Sequence, residues 1–189
     1  MGRAWPILIL LGFCQLCASW GSLAIIAVQV EMRSGLGITA EEVAALVWAF
    51  SFSLAVGALV AQVLIGHWDR RAVLFASLAL LGCGGLALGF AQNWEQAMAA
   101  RVAMALGAAS VMPTASVIAA SLVTDAQRPA AMSVVFGGLT ASLVVALPIS
   151  SAVAEFAGWR AAWFVAAGAA FVAAVGVAVG VPGGVRGTR

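Results

Sequence analysis

The sequence predicts an all-α membrane protein, a bundle of six transmembrane helices, on three observations. Apolar stretches fill almost all of the 189 residues. At ~1.5 Å per residue, ~20 helical residues match a hydrocarbon core ~30 Å thick, and each stretch reaches that length. Only 8% of the residues are Asp, Glu, Lys or Arg, so the helices lack the charged outer face that a water-soluble bundle needs.

The expected spans are residues 5–30, 43–66, 72–91, 102–123, 132–156 and 161–181, forming one unit over 1–182 with a cytoplasmic tail at 183–189. In the first stretch, Arg3 precedes an apolar run containing Cys-Ala-Ser, as in a signal peptide. Its apolar length of ~25 residues exceeds the ~7–15 of a signal core, so it is kept as a span. Gln15, Ser19, Ser22 and Gln29 follow helical spacing and make one polar stripe. Interhelical hydrogen bonds would satisfy such a stripe, and so would a wet cavity holding a polar solute. Cys14 and Cys17 have redox or metal spacing. With no His or second Cys pair nearby, they read as small buried apolar groups, and no metal or cofactor is expected.

The second stretch carries Ser51 and Gln62, which could line the same space. His67 follows in a polar joint beside Asp69 and reads as a solvated or ion-paired loop residue. In the third stretch Gly82, Gly84, Gly85 and Gly89 allow close backbone approach, which is what holds helices together in lipid.

The fourth stretch is preceded by the most telling polar residue, Arg101. If Asn93 caps this helix, Arg101 lies roughly 12 Å along its axis. A guanidinium at that depth either faces water or a partner, which marks function, or snorkels to the headgroups. Pro113, with Thr114 and Ser121, is in the fourth span, and Ser133, Gly137, Gly138, Thr140, Ala141 and Pro148 are in the fifth. Each proline removes a backbone hydrogen bond, making either a packing kink or part of a moving gate. In the sixth stretch and elsewhere, Trp5, Trp68, Trp94, Trp159 and Trp163 fall near span ends, as headgroup anchors do.

Charge placement gives orientation. All nine basic residues are Arg. Arg3, Arg70, Arg71, Arg128, Arg186 and Arg189 share one side of the membrane against Arg33, Arg101 and Arg160 on the other, so the first side is expected to be cytoplasmic, with both termini. The net charge of +2 is too small for a nucleic-acid surface. There is no His pair for a metal, no serine elbow and no P-loop, and Glu155 at a span end is the only candidate acid, so the chain does not read as an enzyme.

The joints are short, so consecutive helices run antiparallel. Two of them, Asp69-Arg70-Arg71-Ala72-Val73-Leu74-Phe75 and Gly158-Trp159-Arg160-Ala161-Ala162-Trp163-Phe164, align at an offset of 89, which also brings Trp5 onto Trp94. Three helices followed by an inverted second three is the implied repeat, because an odd number of crossings reverses the copy.

These residues resemble a known family over nearly the whole chain. The run from Gln62 to Leu74 is similar to G-x-L-x-D-R-x-G-R-R/K-x-x-L between the second and third helices of Major Facilitator Superfamily transporters. Leu64, Arg70, Arg71 and Leu74 match, Gly66 stands at the acid, and Asp69 at the second glycine. Arg101-x-x-Met104-Ala105-x-Gly107-Ala108-Ala109 resembles R-x-x-Q-G-x-G-A-A, with the glutamine and first glycine replaced. Arg128-Pro129-Ala130-Ala131-Met132 is similar to the R-x-x-A-M entry to the fifth helix. Gly137-Gly138-Leu139-Thr140, Ala146-Leu147-Pro148 and Gly158-Trp159-Arg160-Ala161-Ala162-Trp163-Phe164 resemble the drug or sugar efflux, proton-antiporter branch that includes arabinose-efflux-type permeases.

The resemblance implies the N-terminal six-helix half of such a transporter, in a bacterial cytoplasmic membrane. It implies proton coupling at Arg101 beside a cavity with Gln15, Ser19 and Ser22. It also implies an inner gate of Leu64, Gly66, Asp69, Arg70 and Arg71, in which Asp69 or Asp125 partners an arginine, and a fifth-helix gate at Gly137, Thr140 and Pro148. The implied partners are a small-molecule substrate, protons, membrane lipid and a second six-helix half, identical or complementary. The expected function is proton-coupled efflux of a small organic solute by alternating access; the alternative is a truncated, non-transporting membrane remnant or scaffold.

Overall fold

A computed structural model describes residues 4–64 and 68–183, the side chains of Gln62 and Leu64 excepted. The helices are α1 (Trp5–Leu36), α2 (Ala40–Leu64), α3 (Arg70–Phe90), α4 (Trp94–Ala109), α5 (Val111–Ser121), α6 (Arg128–Ala157) and α7 (Trp159–Gly180). Helices α4 and α5 make one crossing, Trp94–Ser121, giving six spans long and apolar enough for a bilayer.

Most helices overrun the apolar stretches that announced them. Hydropathy marks where lipid begins, whereas a helix continues through polar residues until a cap ends it. Helix α1 runs past residue 30 to Leu36 and stops at Gly37, whose φ of 65° is left-handed backbone open to glycine. Thr39 and Glu42 then form a capping box: the Glu42 amide donates to Thr39 Oγ1 at 3.2 Å, and the Thr39 amide to Glu42 Oε2 at 2.7 Å. Asn93 starts α4 by accepting from the Gln96 amide at 2.9 Å, so Glu95 and Arg101, too polar for an apolar stretch, belong to the helix.

The two prolines act differently. Pro113 has no amide to give the Ala109 carbonyl and its ring crowds that oxygen, so the fourth span breaks at Ser110 and restarts, with the Thr114 amide on Ser110 O at 3.1 Å. Pro148 lies inside an uninterrupted α6.

Glycines set the helix spacing. A Cβ on Gly107 of α4 would sit 2.7 Å from the Ser77 carbonyl of α3, and one on Gly138 of α6 would overlap the Gly12 carbonyl of α1. Backbones in contact gain dispersion energy that longer side chains would prevent.

The pairing has the symmetry of an inverted repeat. Helix α1 packs along α6 and α4 along α2; α3 packs on α4 and α7 on α1; α3 and α7 pack on each other. Exchanging α1, α2 and α3 for α4–α5, α6 and α7 maps these contacts onto themselves. The exchange extends to side chains. The Arg71 guanidinium donates to the Ala178 carbonyl near the end of α7, and that of Arg160 to the Ala91 carbonyl at the end of α3, the latter at 3.0 Å. Each arginine opens one helix of an antiparallel pair and satisfies a carbonyl left over at the end of the other, where a cation is favoured by about 0.3–1 kcal/mol.

Gly138→Leu should lower the thermal unfolding midpoint in detergent, by a stability loss of about 1–3 kcal/mol or more. Its neighbour is the control: a Cβ on Gly137 meets nothing within 4 Å, so Gly137→Ala should leave the midpoint unchanged or slightly raised. Equal midpoints for the two variants would remove backbone contact between α1 and α6 as the reason for glycine at 138.

Candidate functional site

A cavity of about 780 Å³ lies among α1, α2, α4–α5 and α6, and no residue of α3 or α7 lines it. Alanines 18, 55, 58, 108 and 109 make the room, and Phe50, Leu54, Met112, Leu139 and Leu143 are its larger apolar walls. Its size is that of a small-molecule site, roughly 300–1,000 Å³. The two helices that wall it, α2 and α6, are also the least covered: 28% of the apolar window of each of those spans is buried, against 44–61% for the others.

The polar stripe of α1 faces this space: Gln15, Ser19 and Ser22 line the cavity, with Ser116 of α5. Gln29 is exposed beyond it. The Gln15 Nε2 donates to Ser19 Oγ one turn on, at 3.4 Å. Gln15 is 6% exposed and its Oε1 has no hydrogen-bond partner.

Arg101 does not snorkel. It is 0% exposed, and its guanidinium turns into the bundle, where Nη1 donates to the Gly21 carbonyl at 2.7 Å and Nε to that of Leu46 at 3.5 Å. The Phe50 ring lies 4.3 Å from its Cζ and the Trp163 ring 5.7 Å. Both carbonyls belong to helices and accept through a second lone pair. One side chain of α4 thus ties together α1, α2 and α7. An arginine at the centre of a spanning helix costs about 2.5–3.5 kcal/mol to insert, which these carbonyls and ring faces offset. Phe50 belongs to both settings: one face covers the guanidinium, and the side chain also borders the cavity.

Of the expected gate residues, Asp69, Arg70 and Arg71 stand together at the start of α3. The Asp69 carboxylate caps α3 by accepting from the Arg71 amide at 3.3 Å, while the Arg71 guanidinium is on Ala178. Asp125 pairs with Arg128 at 2.9 Å on the surface rather than with Arg71. Arg70 is half-buried at the start of α3. Gly66, His67 and the Leu64 side chain lie outside the described residues. On α6, Gly137, Thr140 and Pro148 are exposed and are not part of the cavity wall. Ser51, Ser121 and Ser133 bond the carbonyls of Val47, Ile118 and Ala130, and Thr114 is buried; none of these four is in the cavity wall.

Two tryptophans differ from the headgroup role expected of them. Trp159 is buried against Gly35 of α1 and Arg160, and Trp163 is buried beside Arg101. Phe50 and the carbonyls of Gly21 and Leu46 are the parts of the site that sequence did not single out. A helical carbonyl leaves no mark in sequence, and Phe50 is one of nine phenylalanines.

Comparison with known proteins agrees with this architecture. The family model described as Major Facilitator Superfamily matches residues 9–186. The chain is similar to the MFS-type transporter YbcL of Bacillus subtilis, 29% identical over 160 residues, which cover 85% of this chain and 41% of that protein. It is also similar to the purine ribonucleoside efflux pump NepI of Escherichia coli K12, 27% identical over 158 residues, covering 82% of this chain and 39% of NepI. The Shigella flexneri NepI aligns to the same extent. The chain therefore spans about two fifths of the length of these relatives.

In the native chain Arg101 should resist phenylglyoxal, an arginine reagent, because no part of it is exposed. Phe50→Ala should open it to the cavity, so that peptide mass spectrometry finds the adduct on Arg101 in the variant alone. Equal modification in both proteins would show that Phe50 does not seal the guanidinium.

Proposed function

Because this chain belongs to the Major Facilitator Superfamily, we propose that it is one half of a transporter that exports a small organic solute such as a drug or sugar, working by alternating access with a second six-helix half. The observation that carries the reading is the cavity: four spans line it, and its two wall helices, α2 and α6, are the least covered of the six. A second half, identical or complementary, seats against α2 and α6 and closes the cavity from the other side. The substrate then sits between two rigid units near the midplane, where rocking exposes it to one membrane face at a time.

Protons drive the export through Arg101. Its charge is fixed beside the cavity and held by carbonyls of α1 and α2 under the Phe50 ring. Movement of α2 against α4 withdraws the Leu46 carbonyl and the ring together, so the charge feels the cavity in one state and not in the other. A proton arriving in that state changes the balance between the two. The chain sits in the bacterial cytoplasmic membrane with both termini inside, as the arginine bias favours.

The test is flux in proteoliposomes, with a labelled purine ribonucleoside as the first probe because NepI is a purine ribonucleoside efflux pump. Cysteine placed at Leu59, exposed on α2, should crosslink the chain to its second half. An imposed pH gradient should drive uptake into inverted vesicles, and Arg101→Gln should cut gradient-driven flux at least about tenfold, the rate equivalent of ~1.4 kcal/mol. A chain that stays monomeric by native mass spectrometry and moves no solute would be a remnant or scaffold instead.

A further inference from the structure

The described lining of the cavity carries no charge: among the described residues, none that lines it is Asp, Glu, Lys, Arg or His. Arg101 lies behind Phe50, a residue of the lining, with Nε and Nη1 donating to the Leu46 and Gly21 carbonyls. A charged solute entering this space would leave its water without meeting a counter-ion, which is strongly unfavourable.

The polar chemistry that remains is directional. The Gln15 amide has committed its nitrogen to Ser19, and Gln15 Oε1, on a residue more than nine-tenths buried, is without a partner. A buried carbonyl oxygen left this way favours a ligand that brings an N–H or O–H donor and disfavours one that brings only acceptors. The same lining includes Leu54, Met112, Leu139 and Leu143, which suit an apolar or flat aromatic body.

We infer that the described wall of the cavity selects uncharged amphipathic solutes and that Gln15, whose Oε1 is covered in this structure, turns that oxygen to accept a hydrogen bond from a donor group at the solute's polar edge. This assignment of substrate class rests on the transport reading for its biological meaning, but it concerns binding and is tested as binding. Ser19 and Ser22 extend the polar edge along α1. The apolar walls give affinity without selectivity, and the acceptor gives orientation.

Four probes on one skeleton separate the terms: 2-naphthamide, its N,N-dimethyl derivative, 2-naphthoate and 2-naphthamidinium. Equilibrium dialysis against the full chain in lipid nanodiscs should rank the primary amide first, with a Kd about tenfold below the dimethyl amide, which lacks the donor, and further below both ions. Gln15→Met keeps the length and removes the acceptor. It should raise the Kd of 2-naphthamide about tenfold and leave that of the dimethyl amide unchanged. The native chain with four probes remains decisive if that variant fails to fold.

Binding of naphthoate or naphthamidinium as tight as that of the amide would overturn the proposal. So would equal affinity of the two amides, an unaltered amide Kd in Gln15→Met, or no binding by any probe. Loss of flux with this ranking intact would sink the transport reading and leave the site; flux with a charged probe bound best would do the reverse.

Discussion

Lipid offers no hydrogen-bond partner, and the architecture follows from that. Backbone groups close on themselves as helices, and polar side chains have to find satisfaction inside the bundle or at its ends. Arg101 shows the constraint at its most severe. Its guanidinium takes the second lone pairs of two helical carbonyls and the faces of two aromatic rings. Those partners come from α1, α2 and α7, so meeting one charge fixes the relative position of four helices.

The same constraint separates the bundle into a dense back and an open front. Glycines bring α3 into backbone contact with α4, and α1 with α6. Alanines and short polar groups leave the space between α2 and α6 unfilled. Tight packing on one side keeps the unit rigid, which is what allows a cavity on the other to keep its shape. The cavity and the buried arginine meet at Phe50, so the most delicate electrostatic arrangement in the chain is one aromatic ring away from the place where a solute binds.

Much of this was legible in sequence. Six apolar stretches gave six crossings, since a bilayer demands length and apolarity and little else. Arg101 stood out because a charge in an apolar run always requires an explanation, and the spacing of Gln15, Ser19 and Ser22 put them on one face of a helix. What was hidden depended on three dimensions. Pro113 and Pro148 look alike as letters, yet only the first breaks its helix. Trp163 sits near a span end as an anchor does, but packing turns it onto Arg101. Asp125, expected to reach an arginine more than fifty residues away, takes Arg128 three residues on because a short local pair needs no long-range alignment.

The bonds at the two ends of α3 and α7 carry one more consequence. Arg71 closes the end of α7, and Arg160 closes the end of α3, at opposite ends of the antiparallel pair. A single three-helix unit that met a second copy of itself about a two-fold axis would form this contact twice, once for each protomer, as any isologous interface must. The chain therefore holds within one polypeptide both copies of a bond that a homodimer would create by symmetry alone, and its two halves remain related as such protomers would be.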